Sequence, residues 1–146
     1  KITMRSAFTI VEDTPASYEI CFEQALEVNT QNPVIGSTGF TITGDDKIYY
    51  FEDNTRGIIY KYYFDENNVK IPVDREFGPV DYVKGEIMLG YKESISFSGS
   101  VLPLGVIQVR AIPLGQDVVA KKSVYLDLDV DNSKISAVVD RNLLSS

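Results

Sequence analysis

The sequence predicts an all-β fold, an antiparallel β-sandwich or a barrel-like meander, on three observations. Apolar and polar residues alternate at period two through most of the chain from Lys47 onward, and turn signals recur about every ten residues. Gly78 to Leu89 (Gly-Pro-Val-Asp-Tyr-Val-Lys-Gly-Glu-Ile-Met-Leu) reads as two short alternating runs joined by a two-residue Lys84-Gly85 turn. Alternation sends successive side chains to opposite faces of a pleated strand, and short strands at this spacing build sandwiches and barrels.

Each element follows from the same pattern. Ile2, Met4, Phe8 and Ile10 recur at even positions with Thr3, Arg5 and Thr9 between them, which predicts a half-buried first strand. Tyr18 to Glu23 fits a strand through Tyr18, Ile20 and Phe22, and a helical stripe through Tyr18, Cys21, Phe22, Ala25 and Leu26; the strand is preferred. Asn32-Pro33 and the glycines at 36, 39 and 44 make a turn-rich link in which Phe40-Thr-Ile-Thr forms one short strand. Strands are then expected over Ile48 to Glu52, Ile58 to Phe64 and Val69 to Val73, separated by turns at Asp53 to Gly57 and Asp65 to Asn68. After the Gly78 hairpin come Ser94 to Ser98, Val106 to Ile112, a loop at Pro113 to Gln116, Val124 to Val130 and Ile135 to Val139.

Composition shifts near Gly44, where tyrosine becomes dense. The chain divides there into N-terminal strands with a turn-rich link (1–44) and a tyrosine-rich β-meander domain (45–146), or forms one single domain 1–146. The expected inward set is Ile48 and Tyr50, Tyr60 and Tyr62, Val80 and Tyr82, Ile87 and Leu89, Val109, Leu126, Leu128 and Val138. Gly85 is expected to need a positive backbone angle, and an aspartate at Leu128 to unfold the domain.

The totals bound the chemistry. At 146 residues the chain can bury one proper core. With no histidine there is no Ser-His-Asp or Cys-His nucleophile system, no imidazole base and no His-ligated metal. The chain is expected not to be an enzyme, with no catalytic, cofactor-binding or metal residues and no cofactor. Cys21 is the single cysteine, so an intrachain disulfide is impossible. A net charge of −7 opposes nucleic acid and anionic lipid as partners. No apolar run approaches the roughly 20 residues that span a bilayer, so no membrane partner is expected either. The first residue is not methionine, as expected of a fragment.

The candidate sites are each matched by a plainer reading. Seven aromatic residues fall between Tyr49 and Phe64. They would suit core or subunit-interface packing, or, if exposed and coplanar, a carbohydrate platform. Asp127, Asp129 and Asp131 alternate like a calcium loop but lack its glycine and its closing glutamate in either register, so they read as a solvated strand face. Asp65-Glu66-Asn67-Asn68 resembles a carboxylate pair but suits a turn. Gly99 to Gly105 lacks the Lys-Ser/Thr of a phosphate loop, and Lys121-Lys122 is a short basic spot that could pair with an acidic patch on a neighbouring subunit.

Asn32 to Gly44, the tyrosine-rich strands, Gly78 to Leu89 and Val109-Arg-Ala-Ile-Pro-Leu-Gly-Gln-Asp117 together resemble the C-terminal β-rich part of baseplate wedge subunit 6 of T-even-type contractile-tailed bacteriophages. The resemblance covers about residues 32 to 140, and no single motif in it is diagnostic. It implies a structural role in the virion, assembled in the host cytoplasm: self-association into a dimer or ring, contacts with other baseplate wedge proteins, and no reaction. The competing expectations are a carbohydrate-binding β-sandwich module and an acid-base enzyme using paired carboxylates.

Overall fold

A computed structural model describes residues 2–115 and 125–127. It contains strands β1 (Thr3–Thr9), β2 (Tyr18–Cys21), β3 (Ile35–Ser37), β4 (Phe40–Ile42), β5 (Tyr50–Asp53), β6 (Ile58–Phe64), β7 (Lys70–Asp81), β8 (Glu86–Leu89), β9 (Phe97–Ser100), β10 (Val106–Ala111) and β11 (Tyr125–Asp127). Among the described residues there is no helix, and the fold is all-β.

Nine strands form one antiparallel sheet in the order β11-β1-β10-β3-β5-β6-β7-β8-β2, and β4 with β9 forms a two-stranded ribbon. The large sheet curls until it is nearly a closed barrel. Its closing side is β2 against β1, where the Tyr18 ring lies 5.0 Å from Phe8 and the Tyr18 hydroxyl accepts from Val11 N–H. Strands from both sides of Gly44 pair directly, as β3 does with β5 and β1 with β10.

The core fills the curl. β1 contributes Met4 and Phe8 as the alternation requires, β10 contributes Ile107, Val109 and Ala111, and β8 contributes Ile87 and Leu89. At the centre stands Phe40 from the ribbon, its ring within 5.2–6.3 Å of Phe97, Phe51, Phe77 and Tyr49. Aromatic pairs in tilted and edge-on contact add about 0.5–1.5 kcal/mol each beyond the area they bury, so this cluster ties ribbon to sheet.

Several expectations need correction. The inward residues are Tyr49 just before β5, Phe51 in β5, and Ile59 and Tyr63 in β6, whereas Ile48 is 45% exposed and Tyr50, Tyr60 and Tyr62 share the outward face. Both parities of these strands are apolar, and the face with the fully apolar Phe51 and Ile59 goes inward, leaving hydroxyl-bearing rings toward water. β5 also begins at Tyr50 rather than Ile48, and β9 at Phe97 rather than Ser94. Val69 to Val73 and the first arm of the Gly78 hairpin are a single 12-residue strand, β7. Register shifts in its pairing with β6 absorb the irregularity, and β7 meets β8 only at Val80 and Asp81, so Pro72 lies where that flank needs no ladder donor.

The hairpin forms, but its loop is the four residues 82–85 closed by Asp81 with Glu86, not a two-residue turn. Gly85 N–H donates to Asp81 C=O, and Gly85 has φ of +71° as expected. Gly78 has a different constraint: a Cβ there would overlap the Met88 carbonyl. β3, Ile35–Ser37, was not expected, because two glycines and a serine hide its apolar content. Leu128, Val138 and the strand over Ile135 to Val139 lie outside the described residues. Leu126 lies in β11, where only the backbone pairing with Met4 is described.

Candidate functional site

The outward face of β5, β6 and β7 carries the most organised cluster of side chains. Tyr50 stands opposite Tyr62, and Glu52 opposite Tyr60, because β5 and β6 pair in that register. Period two then aligns Tyr60, Tyr62 and Phe64 on one side of β6. The Tyr50 and Tyr62 rings stack at 5.8 Å with 25° between their planes, while Phe64 sits edge-on to both at 5.7 and 5.5 Å. Tyr60 extends the row at 5.7 Å from Tyr62. Phe64 is 46% exposed and the tyrosines are half-buried.

Charges organise this face. Glu52 Oε2 accepts from the Tyr60 hydroxyl and from Lys70 Nζ, and that ammonium also lies 4.5 Å from the centre of the Tyr62 ring. A cation over a π-face gains about 0.5–1 kcal/mol where exposed. Burial pushes the Tyr62 phenol up to about 12, helped by the nearby Glu52 charge and opposed by Arg110. Tyr60 is raised for the same first reason and by its bond to Glu52. Both phenols therefore stay neutral at physiological pH: Tyr60, its proton given to Glu52, can accept from a partner, and a neutral Tyr62 hydroxyl can donate or accept.

The opposite side of β6 and β7 opens on a cleft of about 630 Å³. Its lining is mixed: Ile42, Ile58, Phe77, Pro79 and Ile95 are apolar, and Lys61, Asp74, Glu76, Lys92, Glu93, Ser94 and Ser96 are charged or polar. Lys61 Nζ lies 4.6 Å from the Tyr49 ring centre and 5.4 Å from that of Phe77. Burial lowers the Lys61 pKa, and the Asp74 and Asp45 carboxylates partly restore it.

A third cluster is internal. Asp53, 1% exposed, accepts through Oδ1 from Val34 and Ile35 N–H at 2.7 and 2.9 Å, and through Oδ2 from Thr55 N–H and the Tyr82 hydroxyl. The Tyr82 hydroxyl accepts in turn from Gly57 N–H. Burial, then the Asp53 bond, raises the Tyr82 pKa. One carboxylate thereby joins β3, the β5–β6 turn and the β7–β8 loop.

The motifs singled out in the sequence fall elsewhere. Asp65 Oδ1 accepts from Asn67 and Val69 N–H, so Asp65 to Asn68 is a side-chain-capped turn. Gly99 belongs to β9, and Ser100 Oγ shapes the loop after it by donating to Pro103 C=O and accepting from Val106 N–H. Cys21 Sγ lies 3.9 Å from Glu86 Oε2. Asp129, Asp131 and Lys121-Lys122 lie outside the described residues, and Asp127 is placed only as backbone. Among the described residues, no group of three or more His, Cys, Asp or Glu side chains converges as a metal site.

Lys61, Asp53 and Glu52 carry no functional mark in the sequence, where each is an ordinary polar member of an alternating strand or a turn residue. Strand pairing gives them their partners, and no local signal carries that. No family model, curated protein or solved structure matches the chain.

Proposed function

We propose that this chain is a structural subunit of a contractile phage tail baseplate that joins copies of itself and other wedge proteins through the outward aromatic face of β5–β7. The observation that supports the reading is the row Tyr50, Tyr60, Tyr62 and Phe64, mutually packed yet open to solvent and edged by Glu52 and Lys70. Amphipathic rings with few rotatable bonds give contact area at low entropic cost, and tyrosine is enriched in the centres of interfaces. The sequence resemblance supplies the biological setting.

The test is light scattering coupled to size-exclusion chromatography across a hundredfold concentration range. A dimer or larger closed species, weakened by Phe64→Asp, is the expected result; a monomer throughout overturns self-association.

The near-parallel stack of Tyr50 and Tyr62 beside Glu52 and Lys70 favours a second reading, a carbohydrate-binding module that uses the outer face of the stack. Sugar faces stack on such rings while charged groups bond their hydroxyls. Glycan-array binding lost in Tyr62→Ala, from a chain that stays monomeric, would select it; a silent array rejects it.

A further inference from the structure

Lys61 differs from the other described lysines. Lys47, Lys70, Lys84 and Lys92 are exposed, whereas Lys61 is half-buried on the cleft, its Nζ 4.6 Å from the Tyr49 ring centre and 5.4 Å from that of Phe77. Among the described residues no hydrogen-bond acceptor and no ion-pair carboxylate reaches this ammonium, and Asp74 and Asp45 act on it only at longer range. Lys70 on the other face has Glu52.

The β6–β7 ladder is interrupted at the same place. Ile59 faces Gly78 and Lys61 faces Asp74, so Tyr60 is opposed by Arg75, Glu76 and Phe77 together. Asp74 Oδ1 secures the excess chain by accepting from Glu76 N–H at 3.1 Å. Bulges re-aim side chains and are over-represented beside active sites; this one brings Phe77 against Lys61 on the cleft.

We propose that the cleft binds a small neutral carbonyl compound, an aldehyde with an apolar or aromatic body, which Lys61 captures as an imine. The site does not depend on self-association. Its mixed lining selects this class. Ile42, Ile58, Phe77, Pro79 and Ile95 suit an apolar body, and a cleft of about 630 Å³ has the size of a small-molecule site. The carboxylates of Asp74, Glu76 and Glu93 oppose an organic anion, and an organic cation would meet the Lys61 ammonium on the ring faces it needs. A neutral aldehyde meets neither conflict.

The step balances without an oxidant or reductant. The lysine nitrogen gives up its proton to water and donates its lone pair to the carbonyl carbon; the carbonyl oxygen takes up protons and leaves as water. Ammonium and aldehyde thus give an iminium and one water. The product keeps a positive charge on the same nitrogen, where the Tyr49 and Phe77 ring faces stabilise it as they do the ammonium. Burial lowers the Lys61 pKa, which enlarges the neutral, nucleophilic fraction.

The test traps the imine. The folded chain is treated at neutral pH with equimolar benzaldehyde and cyanoborohydride, which delivers hydride to the C=N carbon and fixes a benzylamine, and peptides are mapped by mass spectrometry. Lys61 is expected to carry roughly tenfold more label than each of the exposed Lys47, Lys84 and Lys92. In urea the preference disappears. Lys61→Arg keeps the charge on the rings and loses the label at that site. Ser94→Trp, filling the cleft from an exposed lining position, lowers Lys61 labelling and leaves the exposed lysines unchanged, with circular dichroism to confirm that both variants fold. Formaldehyde, which has no body for the apolar lining, shows no such preference. Labelling led by any other lysine side chain, or a Lys61 preference that survives urea or a folded Ser94→Trp, overturns the site. An equal preference with formaldehyde overturns the ligand class. None of these outcomes bears on the aromatic-face reading, which light scattering decides.

Discussion

Glu52 and Asp53 are adjacent carboxylates on β5, and they sit in opposite worlds. Glu52 lies on the outward face, shared between a tyrosine hydroxyl and a lysine ammonium, both on long side chains that can rearrange or be replaced by water. Asp53 lies on the inward face, where three of its four donors are backbone N–H groups from two separate segments. Backbone donors cannot turn away, so losing their acceptor strands them in a dry interior. The same functional group is therefore surface chemistry at one position and structural at the next, decided by a half-turn of the strand.

The contrast predicts unequal costs. Asp53→Ala should destabilise by roughly 3–5 kcal/mol, since it orphans buried donors at β3 and the Tyr82 hydroxyl at once. Glu52→Ala should cost less, about 1–2 kcal/mol, because although its side chain is only 13% exposed, both of its donors can turn to water. Urea unfolding of the pair measures both, and equal losses would mean the two faces are not distinct environments. The neighbouring aromatic pair should behave likewise: Phe51→Ala loses about 3–5 kcal/mol from the centre of the core, while Tyr50→Ala loses about 1 kcal/mol.

Gly85→Val should cost roughly 2 kcal/mol, because φ of +71° disfavours a β-branched residue and a Cβ there would run into the Gln24 carbonyl. Hydrogen exchange at Ile87 and Leu89 should rise in step, and a variant with parental exchange would show that the loop can rebuild.

The smallest effect is a pH dependence that compares an inward with an outward phenol. Burial pushes Tyr49 and Tyr62 up to about 12 from an ordinary value of 10.0. A folded-state pKa above the unfolded one stabilises fully below the unfolded value and is lost as pH rises through the folded one. The contribution of these two phenols should therefore be flat below pH about 10 and fall between about 10 and 12. Ultraviolet titration of phenolate against circular dichroism checks this, and tyrosines that all ionise near pH 10 with the fold intact would contradict it.

Much of this could be read from the residues. Met4 and Phe8 recur at even positions and β1 buries them as expected, with Ile10 buried just past its end. The bounds of Ile58 to Phe64 are legible because a turn rich in Asp and Asn flanks each end, with Gly57 closing the first. Tyr50, Tyr60 and Tyr62 were misassigned to the inside because a strand aromatic on both faces has no polar side to mark the outside. The cleft had no signature, since its walls come from the ribbon, β6, β7 and the 90–96 segment, which meet only in the folded sheet.

The β character, the turns and the positive backbone angle at Gly85 belong to the sequence by itself, because each rests on contacts within a few residues and on the steric limits of single residues. The parity of β5 and β6, the Asp53 network and the cleft were decided only by the tertiary structure. They depend on pairings between residues distant in the chain, such as Val34 with Asp53 and Phe40 with Phe97, and the choice among such pairings is made by burial summed over the whole core.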